Sequence, residues 1–265
     1  MNRMEAVLEG VYSNPELRKS IVPLFIGDPG LGKTKVIEAF AKKKGVNLVE
    51  FITSQRNPFE ISGMAMPDRD TKKMAYWDFD VMLDLKDGDI LFFDEVLNGN
   101  PMTLNACLTI LEQRKMISGK DLPDIMIIAA ANPQGMPVLT PQIKERFVWY
   151  NVVFDPKMWR GFMEKKHLTL RAMNSKLCDL IVKEDLKQTN FYTPRSVDKA
   201  VSMIIRGVPT PYEDVILPIL SELVRNRTGE TVDMDGDGKV MAVNESLTWI
   251  DLIRAKYKQD EVTQK

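Results

Sequence analysis

Apolar residues fall in short dense runs through the first 155 residues, and stripes of apolar residues at helical spacing separate those runs. Ile21-Val22-Pro23-Leu24-Phe25-Ile26 is apolar throughout, as a strand buried on both faces requires. Runs of this kind predict strands at 22–27, 47–53, 89–94, 124–131 and 147–153. Val36, Ile37, Phe40 and Ala41 share one face of a helix over 33–44. Leu104, Cys107, Leu108 and Leu111 do the same over 101–114, with Asn100 as cap and Pro101 at the first position. Strands alternating with helices are the pattern of a parallel sheet covered by helices on its faces. Gly63 to Pro67 and Met74 to Trp77 flank the polar stretch Asp68 to Lys73, which predicts a projecting β-hairpin.

After Asp155-Pro156 the strand-like runs stop and the pattern is helical. Thr193-Pro194-Arg195 opens a helix with Val197, Ala200, Val201, Ile204 and Ile205 on its buried face and Gly207 as its stop, and Pro218 kinks the next apolar run. The expected fold is α/β. A domain over 1–154 holds a five-stranded parallel sheet sandwiched by helices, and 155–265 form a small all-helical domain with a C-terminal extension.

Composition narrows the picture only slightly. The net charge of −1 supplies no global basic field toward nucleic acid or membrane. No apolar run approaches the roughly 20 residues that span a bilayer, and Met1 to Glu5 lacks a signal-peptide core, so the expected location is cytoplasmic. Cys107 and Cys178 show no metal-ligand spacing, and Cys107 belongs to the core face of its helix. His167 is the single histidine, which excludes mechanisms built on paired histidines.

The chemistry concentrates in Gly27-Asp28-Pro29-Gly30-Leu31-Gly32-Lys33-Thr34, which fits G-x-x-x-x-G-K-[ST] between a strand and a helix. Glycines let such a loop curl so that its N–H groups converge on phosphate oxygens at the positive end of the helix. Lys33 would neutralise the β- and γ-phosphates, the Thr34 hydroxyl would hold Mg²⁺, and Lys35 completes the candidate ATP-binding set. Asp89-Ile90-Leu91-Phe92-Phe93-Asp94-Glu95 is a buried strand ending in two acids. At the carboxyl end of a parallel strand, Asp94 would join the Mg²⁺ shell and Glu95 would orient and polarise the attacking water.

A third strand ends at Ala131-Asn132-Pro133, and Glu145-Arg146-Phe147 follows. Together with the P-loop, Asp94-Glu95 and Thr193-Pro194-Arg195, this ordered set resembles the AAA+ ATPases, particularly the MoxR-like branch. Asn57 to Gly63 and Leu104 to Arg114 are also similar to that branch. The resemblance covers roughly residues 20 to 205. It implies that Asn132 is a sensor sharing the attacking water and γ-phosphate with Glu95, and that Arg146 is an arginine finger reaching into the next subunit's site. It also implies that Arg195 is a lid arginine on the γ-phosphate. The hairpin at 63–77 and the stretch Lys115 to Lys120 stand where the family carries pore-facing or partner-facing hairpins.

By resemblance the chain is an Mg²⁺-dependent ATPase, a homo-oligomer of the hexameric-ring type, and a chaperone-like remodeller of a protein complex. Such proteins often work with a partner bearing a von Willebrand factor A domain. The alternative is a nucleotide-gated binding module with slow hydrolysis, for which DNA is a candidate partner. Lys72, Lys73 and Lys115 near the two hairpins leave nucleic acid open, and nothing calls for a membrane. Only about 20 residues precede the first strand, fewer than the family usually carries to close over adenine. Asp233 to Val240 is similar to the start of a calcium loop, but Asn244 stands at the twelfth position where a bidentate Glu belongs, and an Asp-Gly hairpin turn explains the same residues.

Overall fold

The computed structural model describes residues 3–78, 80–99, 101–116, 118–134, 141–166, 177, 181, 193–206, 208–212, 215, 216 and 219. Asn100, His167, Cys178, Gly207, Pro218 and the stretch Asp233 to Asn244 lie outside them. The chain divides into two compact units, Met1–Val153 and Phe154–Lys265.

The first unit is built on strands β1 (Pro23–Ile26), β2 (Leu48–Ile52), β5 (Ile90–Asp94), β6 (Met126–Ala131) and β7 (Val148–Asn151). They form one sheet in the order β2-β5-β6-β1-β7, and every pairing is parallel. Successive side chains on a strand point to opposite faces, and both faces of this sheet are covered. Leu91 and Phe93 of β5 enter one core with Leu104, Cys107, Leu108 and Leu111 of helix α6 (Pro101–Gln113). Ile90 and Phe92 enter the other with Ile37, Phe40 and Ala41 of α3 (Lys33–Lys44). Burial on both sides is why these strands read as unbroken apolar runs.

The second core also takes Met4, Leu8 and Val11 from a helix absent from the sequence reading, α1 (Arg3–Ser13). It is followed by α2 (Pro15–Ser20), where the Asn14 side chain accepts from the Glu16 and Leu17 amides. Their signals, an i, i+4, i+7 apolar stripe and an Asn-Pro cap, were present in the sequence. Short helices α4 (Pro58–Ser62), α5 (Asp80–Leu83) and α7 (Pro141–Glu145) complete the unit.

The expected hairpin forms: β3 (Met64–Asp68) pairs antiparallel with β4 (Lys73–Trp77). Met64, Met66, Met74, Tyr76 and Trp77 are all exposed on it. A second, tighter hairpin is closed by an antiparallel bridge between Lys115 and Asp121 and by the Met116 amide donating to the Lys120 carbonyl at 2.8 Å.

The described residues of the second unit are largely helical. Helix α8 (Pro156–Lys166) is capped by Asp155, whose carboxylate accepts from the Lys157 and Met158 amides at 2.9 and 3.1 Å. The helix Pro194–Ile205 buries Val197, Ala200, Val201, Ile204 and Ile205, as its apolar stripe requires. Thr193 caps it reciprocally with Ser196, and the helix ends at Arg206.

Candidate nucleotide-binding site

The strand order makes β5, β6 and β1 consecutive neighbours, so the segments leaving their carboxyl ends lie side by side. Those segments carry Asp94-Glu95, Asn132 and the P-loop. In a parallel sheet this edge is where ligands bind.

The Gly27 amide donates to the Ala131 carbonyl at 3.3 Å, tying the loop to β6. A Cβ at Gly27 would stand 2.5 Å from the Val152 carbonyl oxygen, so only glycine fits there. Gly30 and Gly32 adopt φ of 87° and 89°, a conformation costly for residues with a Cβ, and α3 starts directly after them. The Lys33 side chain folds back beneath the loop and is 7% exposed. Its ammonium donates to the carbonyls of Gly27 and Asp28 and, at 3.0 Å, to Oδ1 of Asn132. A buried ammonium needs such acceptors, and these are the ones phosphate oxygens could replace.

Asp94 is held on both carboxylate oxygens: Oδ2 accepts the Thr34 hydroxyl at 2.9 Å and Oδ1 accepts the Glu95 amide at 2.9 Å. The Thr53 hydroxyl, fully buried, donates to the Asp94 carbonyl at 2.9 Å. Glu95 has φ of 54°, a strained conformation for a residue with a side chain, costing about 1–3 kcal/mol. Its carboxylate accepts a hydrogen bond from the Ser54 hydroxyl. Ser54 escaped the sequence reading because its relation to Glu95 is non-local. Ile52 pairs with Asp94 in the sheet, which brings residues 53 and 54 beside 94 and 95.

The adjoining oxygens of Thr34 and Asp94 suit magnesium, which keeps most of its shell for water and phosphate. Among the described residues no group of three or more His, Cys, Asp or Glu side chains could hold a metal by itself. Burial, together with the charges of Asp94 and Glu38, pushes the Glu50 carboxyl above its ordinary range, so the neighbourhood is already rich in negative charge. Lys35, expected in the ATP set, has an exposed ammonium engaged by Glu38 at 2.6 Å.

Behind the acid pair, the Asn98 side-chain amide donates to the Gln134 carbonyl at 3.1 Å, joining the segment after Glu95 to the one after Asn132. Gly99 packs so closely on Thr53 that a Cβ would meet its methyl carbon at 2.9 Å.

Arg146 is elsewhere. It sits between α7 and β7, and β7 runs parallel to β1 with Val148 opposite Pro23. That puts Arg146 at the amino edge of the sheet, about 20 Å along the strand direction from the P-loop at roughly 3.3 Å per residue. Its guanidinium pairs with Glu112 of α6 at 2.6 Å, not with neighbouring Glu145. Arg195 is exposed in the first turn of the helix Pro194–Ile205, in the second unit.

Residues 23–147, from the first residue of β1 to the threshold of β7, match the model of the AAA domain, dynein-related subfamily. That segment is similar to AAA domains over a little under half of the chain. Two uncharacterized proteins of Methanocaldococcus jannaschii, MJ0812 and MJ0079, are 26% identical to the chain over 216 residues and 27% identical over 155 residues. The alignments cover 76% and 55% of this chain but 52% and 37% of theirs, so the chain spans about half or less of the length of these relatives. Two solved point mutants of RuvB from Thermotoga maritima superpose with a TM-score of 0.52 each, at 15% and 16% identity. They cover 90% and 88% of this chain and 71% and 74% of theirs, and at that identity the likeness carries the fold. The similarity to AAA domains and the P-loop geometry both point to the carboxyl edge as the candidate nucleotide site. Among the described residues, no helix is long and apolar enough to cross a membrane.

Proposed function

We propose that this chain is a magnesium-dependent ATPase of the AAA+ type, near the MoxR-like branch, that works as a homo-oligomeric ring and remodels a protein partner. One observation carries the reading: Lys33, Thr34, Asp94, Glu95 and Asn132 converge at one edge of the sheet while Arg146 stands at the other. A site missing its arginine is completed by a second copy bound head to tail.

In this mechanism Lys33 exchanges the Gly27 and Asp28 carbonyls for β- and γ-phosphate oxygens, and the loop amides orient the same groups. Thr34 and Asp94 would hold magnesium, which would supply neutralisation of phosphate charge when bound. Glu95, released from Ser54, accepts a proton from the attacking water as its oxygen bonds to the γ-phosphorus and the bond to the β-phosphate oxygen breaks. Asn132 aligns water and γ-phosphate. Arg146 of the partner subunit stabilises the charge that develops, and Arg195 couples nucleotide state to the lid.

The exposed Met64, Met66, Met74, Tyr76 and Trp77 of the β3-β4 hairpin support a protein partner, because an apolar projection of this kind is suited to protein contacts rather than phosphates. A von Willebrand factor A domain protein is one such partner. A second reading, a nucleotide-gated binding module with slow hydrolysis, draws on the Ser54–Glu95 contact, which keeps the general base occupied.

Arg146→Ala should lower steady-state turnover by about 10³-fold or more while leaving ATP affinity intact. Wild-type specific activity should rise with protein concentration. Full turnover from Arg146→Ala, or equal activity of the monomer at all concentrations, would sink the ring mechanism. Turnover unchanged by Glu95→Gln would favour the binding module.

A further inference from the structure

Glu112 occupies an electrostatically poor position. It lies in the last turn of α6, where the helix carbonyl ends make an acid unfavourable, and that turn has no basic residue of its own. Its compensation comes from outside the helix, as Arg146 donates to its carboxylate at 2.6 Å. Arg146 has a carboxylate next door in the chain, Glu145, yet reaches across to α6 instead. The Arg146 amide is itself tied to the Ile143 carbonyl, so the root of the side chain is set while its head is held by Glu112. The Arg146 side chain is 30% exposed and that of Glu112 57%.

We propose that Glu112 is a cis latch on Arg146: in the isolated chain it holds the guanidinium against α6, and ring assembly must break this pair before Arg146 can reach the partner subunit's phosphates. The inference rests on Arg146 acting in trans. A guanidinium turned onto Glu112 through one terminal nitrogen cannot at the same time extend to a phosphoryl group bound on another subunit, so the two states compete. Because both side chains retain water contact, the pair is weak enough for a phosphate to displace it. Glu112 therefore acts through Arg146 and touches no nucleotide. It raises the threshold for assembly-coupled hydrolysis and leaves the completed site unaltered.

The test is ATP turnover as a function of protein concentration for the full chain and for Glu112→Gln, Glu112→Asp, Arg146→Ala and the Arg146→Ala/Glu112→Gln double variant, with thermal melts to verify folding. Glu112→Gln should lower the protein concentration giving half-maximal activity by about 1.5- to 5-fold, the range expected for losing an exposed ion pair, with saturating turnover unchanged. Glu112→Asp, which keeps the charge, should stay near wild type. The gap between Glu112→Gln and wild type should shrink in high salt, because exposed pairs are screened. Half-maximal concentrations that coincide or move upward in Glu112→Gln overturn the latch, as does a change confined to saturating turnover. If Arg146→Ala is inactive and Glu112→Gln matches wild type, only the latch falls. If Arg146→Ala turns over normally, the trans reading falls and takes the latch with it.

Discussion

The two edges of the central sheet hold similar inventories of charged side chains and use them in opposite ways. At the amino edge, Arg18 grips Asp124 with two nitrogens at 2.6 and 3.1 Å, and the Asp124 amide donates to Asp87. Arg114 is half-buried there, donating to the Ile125 and Arg18 carbonyls, and desolvation lowers its guanidinium to about 10. Tyr12 donates to the Gly88 carbonyl at 2.9 Å. Several of these partners are backbone atoms whose positions the fold already sets, so the bonds hold α1, α2 and the sheet together. At the carboxyl edge the separate motifs are joined to one another through side-chain pairs, Lys33 to Asn132 and Thr34 to Asp94, over glycines and a residue in strained conformation. Such bonds can be traded for phosphate oxygens without unravelling a strand. Position along the strand direction, more than residue type, decides which charges hold and which work.

The contrast is breakable. Lys33→Ala should weaken ATP binding by about 100-fold, the loss of charge-assisted hydrogen bonds, with little change in melting temperature. Titration with a fluorescent nucleotide beside a thermal melt checks it, and an equally large drop in stability would make Lys33 a structural cation after all. Gly27→Ala tests the meeting of the edge with the core, since its methyl would press on the Val152 carbonyl. It should cost about 1–3 kcal/mol of stability by chemical denaturation and lower nucleotide affinity in parallel.

Arg18→Ala should do the reverse of Lys33→Ala, costing about 1–2 kcal/mol of stability while leaving turnover per folded molecule unchanged. Arg18 holds the Asp124 carboxyl below its ordinary value. The unfolded chain therefore takes up that proton at higher pH than the folded one. The contribution is present above about pH 4 and is lost as pH falls through the folded value. Arg18→Ala should flatten that part of the acid limb, and denaturation curves between neutral pH and pH 3 measure it. An unchanged acid limb would mean that Arg18 acts only by packing over the Tyr12 ring.

Much of the fold was legible because its signals are local. The P-loop strand, α3 and the β3-β4 hairpin each announce themselves within a dozen residues through burial pattern, glycines and turn chemistry. Helix α1 is hardly legible in the sequence, because three apolar residues on one face are a thin stripe until a sheet is present to receive it. Of the candidate site, Lys33, Thr34, Asp94, Glu95 and Asn132 come together as their motifs required, whereas Lys35 is drawn to Glu38. Ser54 lies in no motif, and the resemblance of Leu104 to Arg114 assigns no role to Glu112. Their relevance is defined by partners 41 and 34 positions away.

The sequence alone therefore determined the class of strands, the phosphate loop and the acid pair, since these depend on short-range sterics and on the alternation of buried faces. Only the tertiary structure decided the order β2-β5-β6-β1-β7. That order sets Asp94 against Thr34, Glu95 against Ser54, and Arg146 against Glu112 at the far edge. The reason is physical: a parallel strand can sit beside any other whose faces it helps to bury, and local patterns say what a strand buries without naming its neighbour.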